Sequence, residues 1–216
     1  MGERMDQSAQ STPSALPFAE STPLGLLGLA IGCAALVPIA FGWFPHDATK
    51  LPMMFKTAAW FCLLFGAGCQ FLAGIMALAN KNGLGGTLLT TFSFNWVMNW
   101  WTLDQASYGK SVDPHVALAV DVAFIVVFLV LTYAFAFYSK LLFVFLLDID
   151  ALYLLRIGKH FAPSLAPTLS LGVGVATVLL ALLALYIAFA MLVNPAAGRP
   201  VFPVGGPLIK PAGGGS

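Results

Sequence analysis

The side chains in this sequence that could do chemistry are few, and the most informative are acids in apolar surroundings. Asp121, Asp148 and Asp150 each sit inside a long hydrophobic run. A carboxyl group at the centre of a membrane-spanning helix costs roughly 2.5–3.5 kcal/mol on the insertion scale, so such a group faces a cavity or a partner. There it can relay a proton, attract a cation or repel an anion, and all three are candidates for a relay. Asp148 follows Lys140 by eight residues, which is ~12 Å along a helix at 1.5 Å per residue. Asp148 and Asp150 are two positions apart, about 200° around a helix, so the spacing forbids both from facing one pathway. Asp148 shares a face with Leu152 and Arg156, and Asp150 with Tyr153 and Leu154. Lining a solute route and pairing helices as polar glue are both open readings.

A second signal is an amide and hydroxyl stripe. Thr87, Thr91, Asn95 and Asn99 recur every four residues and therefore share one helix face. Phe92, Trp96 and Trp100 lie beside them. Four hydrogen-bonding groups in register read as a lining that a small polar solute touches, with interhelical bonding as the alternative. Gln70, isolated among Phe65, Gly66, Gly68, Phe71 and Gly74, fits either role.

Other chemistry lacks its residues. Cys33, Cys62 and Cys69 lie in hydrophobic runs, where cysteine acts as a small apolar residue, so no disulfide framework is expected. His46, His115 and His160 fall in loops or at run ends without ligand spacing, so no metal or haem cofactor is expected. There is no nucleophile–base pair and no phosphate-cradling loop, so an enzyme is not expected. Ten Lys+Arg against nine Asp+Glu leave a net charge of +1, without the basic footprint of a nucleic-acid binder.

The elements that must position these residues follow from composition. Apolar residues make up 59% of the chain and charged residues 9%, and the mean hydropathy is +0.89. Ordinary soluble domains are roughly a quarter charged, so a soluble fold is excluded. A helix needs about 20 apolar residues to cross a bilayer. Six runs approach that length: 24–44, 53–79, 84–103, 115–138, 141–157 and 168–192. They are too long for barrel strands. The expected fold is an all-α integral membrane protein, a bundle of six transmembrane helices. Residues 1–20 are expected to be a mobile polar segment without signal-peptide character. Residues 21–206 form the membrane domain, and 207–216 read as a flexible tail or the remnant of an added linker. Five Lys/Arg fall on each side of such a bundle, so the positive-inside rule assigns no orientation. Gly28 and Gly32 form a GxxxG pattern suited to close helix approach.

Four segments occur in order along these runs: Ser21-Thr22-Pro23-Leu24-Gly25-Leu26, Phe65-Gly66-Ala67-Gly68-Cys69-Gln70-Phe71-Leu72-Ala73-Gly74, Asn82-Gly83-Leu84-Gly85-Gly86-Thr87, and Gly198-Arg199-Pro200-Val201-Phe202-Pro203-Val204-Gly205. Together they resemble the signatures of the acetate uptake transporter family, the succinate–acetate permease-like proteins. The resemblance covers most of the membrane domain. It implies a hexameric ring of six-helix protomers with a solute route through each, cytoplasmic termini, and a bacterial or archaeal inner membrane. It also implies proton-linked uptake of acetate or other small carboxylates, with the solute, protons, the lipid bilayer and identical subunits as partners. A hydrophobic constriction in the family would fall here near Leu29, Phe92 and Asp148.

Departures from the family pattern fall at functional positions. Glu20 stands where the family has Asn, and Ala77 where it has Glu. Thr91-Phe92-Ser93-Phe94-Asn95-Trp96 replaces S-Y-G-S-F-W, and Asp148 and Asp150 replace apolar or hydroxyl residues. An ionised Asp148 at 4 Å would repel acetate by roughly 4 kcal/mol at an effective dielectric near 20. Three readings stay open: the carboxyl carries protons, the solute passes as neutral acid, or the solute is a small amide, ammonium or a metal cation. A membrane scaffold, with the polar residues acting only as glue, is the reading from a different class.

Overall fold

Local punctuation converts each apolar run into a helix. The structure is a computed structural model that describes residues 17–210, and among these residues there is no strand. The helices are α1 (Thr22–Ala40), α2 (Leu51–Phe61), a π-helical stretch (Cys62–Cys69), α3 (Gln70–Ala79), α4 (Gly83–Ser107), α5 (Pro114–Phe135), α6 (Lys140–Phe161) and α7 (Ala166–Ala197). Proline occupies the first turn of α1, α2, α5 and α7, where its missing N–H costs nothing. The Asn82 side chain caps α4 by accepting from the Gly85 N–H at 2.9 Å. Ser139 caps α6 by accepting from Leu141 at 3.1 Å. Gly198, at φ +63°, ends α7 in the left-handed conformation that glycine tolerates.

The α2, π and α3 segments run end to end, so the second run is one rod with a widened middle. The sequence boundaries hold to within a few residues except at the ends of α1, α4, α6 and α7. There capping and proline chemistry, rather than apolarity, set where the helix stops. Four segments are long and apolar enough to cross a membrane: Thr22–Ala40, Ala48–Ala79, Pro114–Phe135 and Pro163–Ala197. By composition α4 and α6, both expected as spans, are the polar ones: α4 carries the Thr/Asn stripe, and α6 carries Asp148, Asp150 and Arg156. The coarse reading therefore stands as an all-helical integral membrane protein.

Packing buries one face of each polar helix. The α1 helix lies against α7 and the π stretch, α4 against α2, α3 and the π stretch, and α6 between α5 and α7. Leu29, Phe92, Trp96, Phe128, Leu146, Tyr153 and Leu180 form the buried centre. Val126, Leu129 and Val130 of α5 and Val175 and Leu182 of α7 face outward. An apolar exterior of this extent suits hydrocarbon rather than water. Gly28 of α1 sits against the Phe65 carbonyl and Cys69 of the π stretch, the close approach that the GxxxG spacing implies.

The chain ends are tied down where they are described. The Asn80 side chain accepts from Phe18 N–H at 3.1 Å and donates to the Phe18 carbonyl at 2.9 Å. The Ser21 hydroxyl donates to the Ala73 carbonyl at 2.8 Å. The C-terminal segment folds back across the α5–α6 turn: Leu208 and Ile209 both donate to the Ala136 carbonyl, and Lys140 donates to that of Gly206. Residues 1–16 and 211–216, which hold most of the expected mobile segment and the end of the expected tail, lie outside the described residues.

The α5 cap makes a testable case. Backbone N–H groups of Val116 and His115 donate to the exposed Asp113 carboxylate at 2.9 and 3.0 Å. The Val116 bond above all holds that carboxyl below its ordinary range. A depressed folded value means the stabilisation is present above the unfolded value of about 4 and is lost as pH falls through the folded one. Asp113→Ala is expected to lower the melting temperature in detergent slightly at pH 7. The difference should fade in acid, whereas Asp113→Asn, which still accepts, should melt near wild type at both pH values.

Candidate functional site

Two internal cavities meet on opposite sides of one aromatic ring. The first, about 150 Å³, lies toward the chain termini, with Glu20, Leu29, Gln70, Phe92 and Phe145 among its walls. The second, about 240 Å³, opens toward the other end and includes Phe92, Asn95, Trp96, Asn99, Tyr153 and Arg156. Phe92 borders both. Its ring packs edge-to-face on Phe128 at 5.1 Å and against Trp96 at 6.3 Å. Phe128 in turn stacks on Tyr153 at 5.6 Å. Phe92 is thus an apolar side chain, braced by aromatic neighbours on two sides, in the wall of both chambers.

Three residues that line the chambers also carry buried polar atoms with unused valence. Gln70 is buried in the first, and its Oε1 makes no hydrogen bond within the protein. In the second, Trp96 Nε1 and the Tyr153 hydroxyl are likewise unpaired. A buried donor or acceptor without a partner costs about 1–3 kcal/mol, so three of them mark this part of the bundle as polar and costly to keep. The termini-side chamber carries the Glu20 carboxylate, and the other carries the cations Arg156 and Lys159.

The sequence candidates divide among several environments. Leu29 and Gln70 border the first chamber, Asn95 and Asn99 the second, and Phe92 both. Thr87 is exposed and Thr91 half-buried, and neither borders either chamber. The Thr/Asn stripe is thus not one face over its whole length: a four-residue repeat gains about 40° per step on a 3.6-residue turn, so Thr87 and Asn99 lie about 120° apart around α4. Asp148 and Asp150 are both buried. Asp150 accepts from the Thr132 hydroxyl of α5 at 2.7 Å, while Asp148 Oδ2 has no partner within the protein. Neither borders the two chambers. Asp121 pairs with Arg156: Arg156 Nε lies 3.1 Å from Oδ2, and Nη2 lies 2.9 Å from Oδ1.

Sequence reasoning missed Arg156, Lys159 and Tyr153 as walls of the second chamber, and it missed the Asp121–Arg156 pair. One signal was available for the pair. Asp121 is 18 residues before the tight turn at Ser139 and Arg156 is 17 residues after it, which is equal depth on antiparallel neighbours. The contact of His115 and His160, with ring centroids 5.9 Å apart, follows from the same geometry. Among the described residues, no group of three or more His, Cys, Asp or Glu side chains could hold a metal ion.

Comparison with known proteins agrees with this architecture. No curated protein sequence matches the chain. A solved structure described as that of the bacterial acetate channel SatP superposes with a TM-score of 0.74 over 87% of this chain and 99% of that one, at 20% sequence identity. At that identity the match speaks to the fold. A sequence model of the GPR1/FUN34/yaaH family matches residues 2–204, nearly the full length, and the chain belongs to that family.

Proposed function

We propose that this protein is a channel or transporter that passes acetate and other small carboxylates through each protomer. The observation that carries this reading is the pair of chambers meeting at Phe92 inside a membrane-type bundle. A fold shared with a protein described as an acetate channel supports acetate as the solute. Leu29 and Phe92 form the apolar narrow point, and Gln70, Asn95 and Asn99 offer hydrogen bonds on either side. Thr87 and Thr91 continue the polar face outside the chambers. In this reading α4 and α6 also cross the bilayer, making six spans. The protomers assemble as a hexamer, and the termini lie on the cytoplasmic side of a bacterial or archaeal inner membrane. Residues 21–206 are the transport domain, flanked by a mobile segment and a tail.

The acids set the coupling. Asp148, whose Oδ2 makes no hydrogen bond within the protein, is the first candidate for a proton relay, with Asp150 and Asp121 behind it. Labelled acetate should enter proteoliposomes faster under an inward proton gradient. Asp148→Asn is expected to remove that stimulation and bring uptake to the no-gradient rate. Proton-dependent uptake at the wild-type level in Asp148→Asn would remove Asp148 from the relay. The buried acids also favour a second reading, in which the solute is a small amide, ammonium or a metal cation. Unlabelled acetate competes under the first reading. Absence of both acetate flux and acetate competition would favour the second.

A further inference from the structure

Arg156 and Asp121 are more than a strut between α5 and α6. The guanidinium presents Nε and Nη2 to the two carboxylate oxygens of Asp121 at 3.1 and 2.9 Å, the fork geometry with which arginine holds a carboxylate of any origin. Asp121 is nearly enclosed, with 11% of its side chain exposed, whereas Arg156 is 32% exposed. Arg156 borders the second chamber alongside Asn99 and Lys159, and Asp121 does not. That chamber therefore shows an arriving anion two cations, while the balancing acid faces the adjoining pockets that Arg156 also borders. The Arg156 guanidinium also lies 5.5 Å from the centre of the Tyr153 ring, whose hydroxyl is unpaired, so the group is held against the chamber wall.

We propose that Arg156 is the carboxylate-recognition group of the second chamber. In this scheme Asp121 is a built-in carboxylate that occupies the arginine fork until a small carboxylate from the chamber takes over one or both of its hydrogen bonds. Leaving a buried charge uncompensated is costly, but this exchange swaps one carboxylate for another and keeps the guanidinium paired. The displaced acid also has a place to go. Asp121 borders a neighbouring pocket that it shares with Arg156, Lys159 and His160, so a second cation stands within the same recess. The site thus favours small carboxylates over neutral isosteres, because an amide of the same shape can neither replace the charge nor fill both positions of the fork. The inference rests on the carboxylate reading of the route and deepens it.

The test reads the arginine in the wild-type protein. Phenylglyoxal modification of Arg156, followed by peptide mapping in proteoliposomes, is expected to slow about tenfold in saturating acetate and hardly at all in acetamide. The exposed Arg199 of the C-terminal segment is the internal control and should label at one rate throughout. Equal protection by acetamide, or parallel slowing at Arg199, overturns the proposal. Asp121→Asn, with its fold checked by thermal melting, should lower the half-saturation concentration for acetate uptake about tenfold by removing the internal competitor. An unchanged or higher value overturns the proposal. A purely structural pair would instead be rescued by the exchanged variant Asp121→Arg/Arg156→Asp, and wild-type acetate affinity in that variant also overturns it. If the wild type passes no acetate yet acetate protects Arg156, the transport reading falls while the subsite stands. If acetate passes and Arg156 is not protected, the subsite falls alone.

Discussion

Phe92→Ala should raise the acetate flux of proteoliposomes about tenfold, equivalent to removing ~1.4 kcal/mol of barrier. It should also make transport less dependent on the proton gradient. The ring is the one side chain named that borders both chambers, and it is buried and braced by Phe128 and Trp96. Truncation joins the two chambers through a gap the size of a benzene ring, and a wider apolar neck wets more readily. The same change removes a packed aromatic, so stability should fall by about 3–5 kcal/mol. Phe92→Leu separates the two effects: it keeps an apolar plug and should lose less stability while staying near wild-type flux. If Phe92→Ala inserts and folds yet conducts no faster than wild type, the narrow point lies elsewhere along the route.

Gly28→Val is expected to prevent folding or assembly into a stable bundle. A Cβ built on Gly28 falls 2.5 Å from the Phe65 carbonyl oxygen and against Cys69 Cβ. The carbonyl belongs to the backbone of the π stretch and cannot rotate away as a side chain would. Overpacking costs about 1–3 kcal/mol where side chains can give, and more against a fixed backbone atom such as this one. The two helices would have to separate along the seam that sets the position of Gln70. Gly83→Ala is the matched control, because nothing lies within 4 Å of a Cβ added there. Melting temperature and detergent size-exclusion profile read both variants. A Gly28→Val protein that melts like wild type would mean that the α1–π contact is not needed for the fold.

Much of this architecture is legible without coordinates, for reasons that individual elements make plain. The runs that became α1, the α2–α3 rod, α5 and α7 are recognisable because apolar length is a one-dimensional property. The caps at Asn82, Asp113 and Ser139 act within three residues, so they are local features, although apolar length did not reveal them. The GxxxG of α1 implied a close approach, and Gly28 makes one. The partner of that approach, a π-helical stretch from Cys62 to Cys69, left no trace in composition, because π and α geometry place the same residue types in slightly different register.

The site was only half legible, and Asp121 shows why. Its cost in a hydrophobic run can be read from one residue and its neighbours. Its partner, Arg156, sits 35 residues away on another helix, and only the antiparallel return through the turn at Ser139 puts the two at one depth. Asp148 and Asp150 are two positions apart in sequence, but the bundle leaves one without a partner and gives the other the Thr132 hydroxyl. Thr87 and Asn95 are eight positions apart, about 80° around a helix, and one is exposed and the other buried because the four-residue spacing winds slowly off a single face. Sequence by itself determined the solvent, the helices and the residues that are expensive to bury, since burial cost and apolar length are local. Tertiary structure alone decided which of those residues meet one another across Phe92, because that depends on the relative rotation and depth of separate helices.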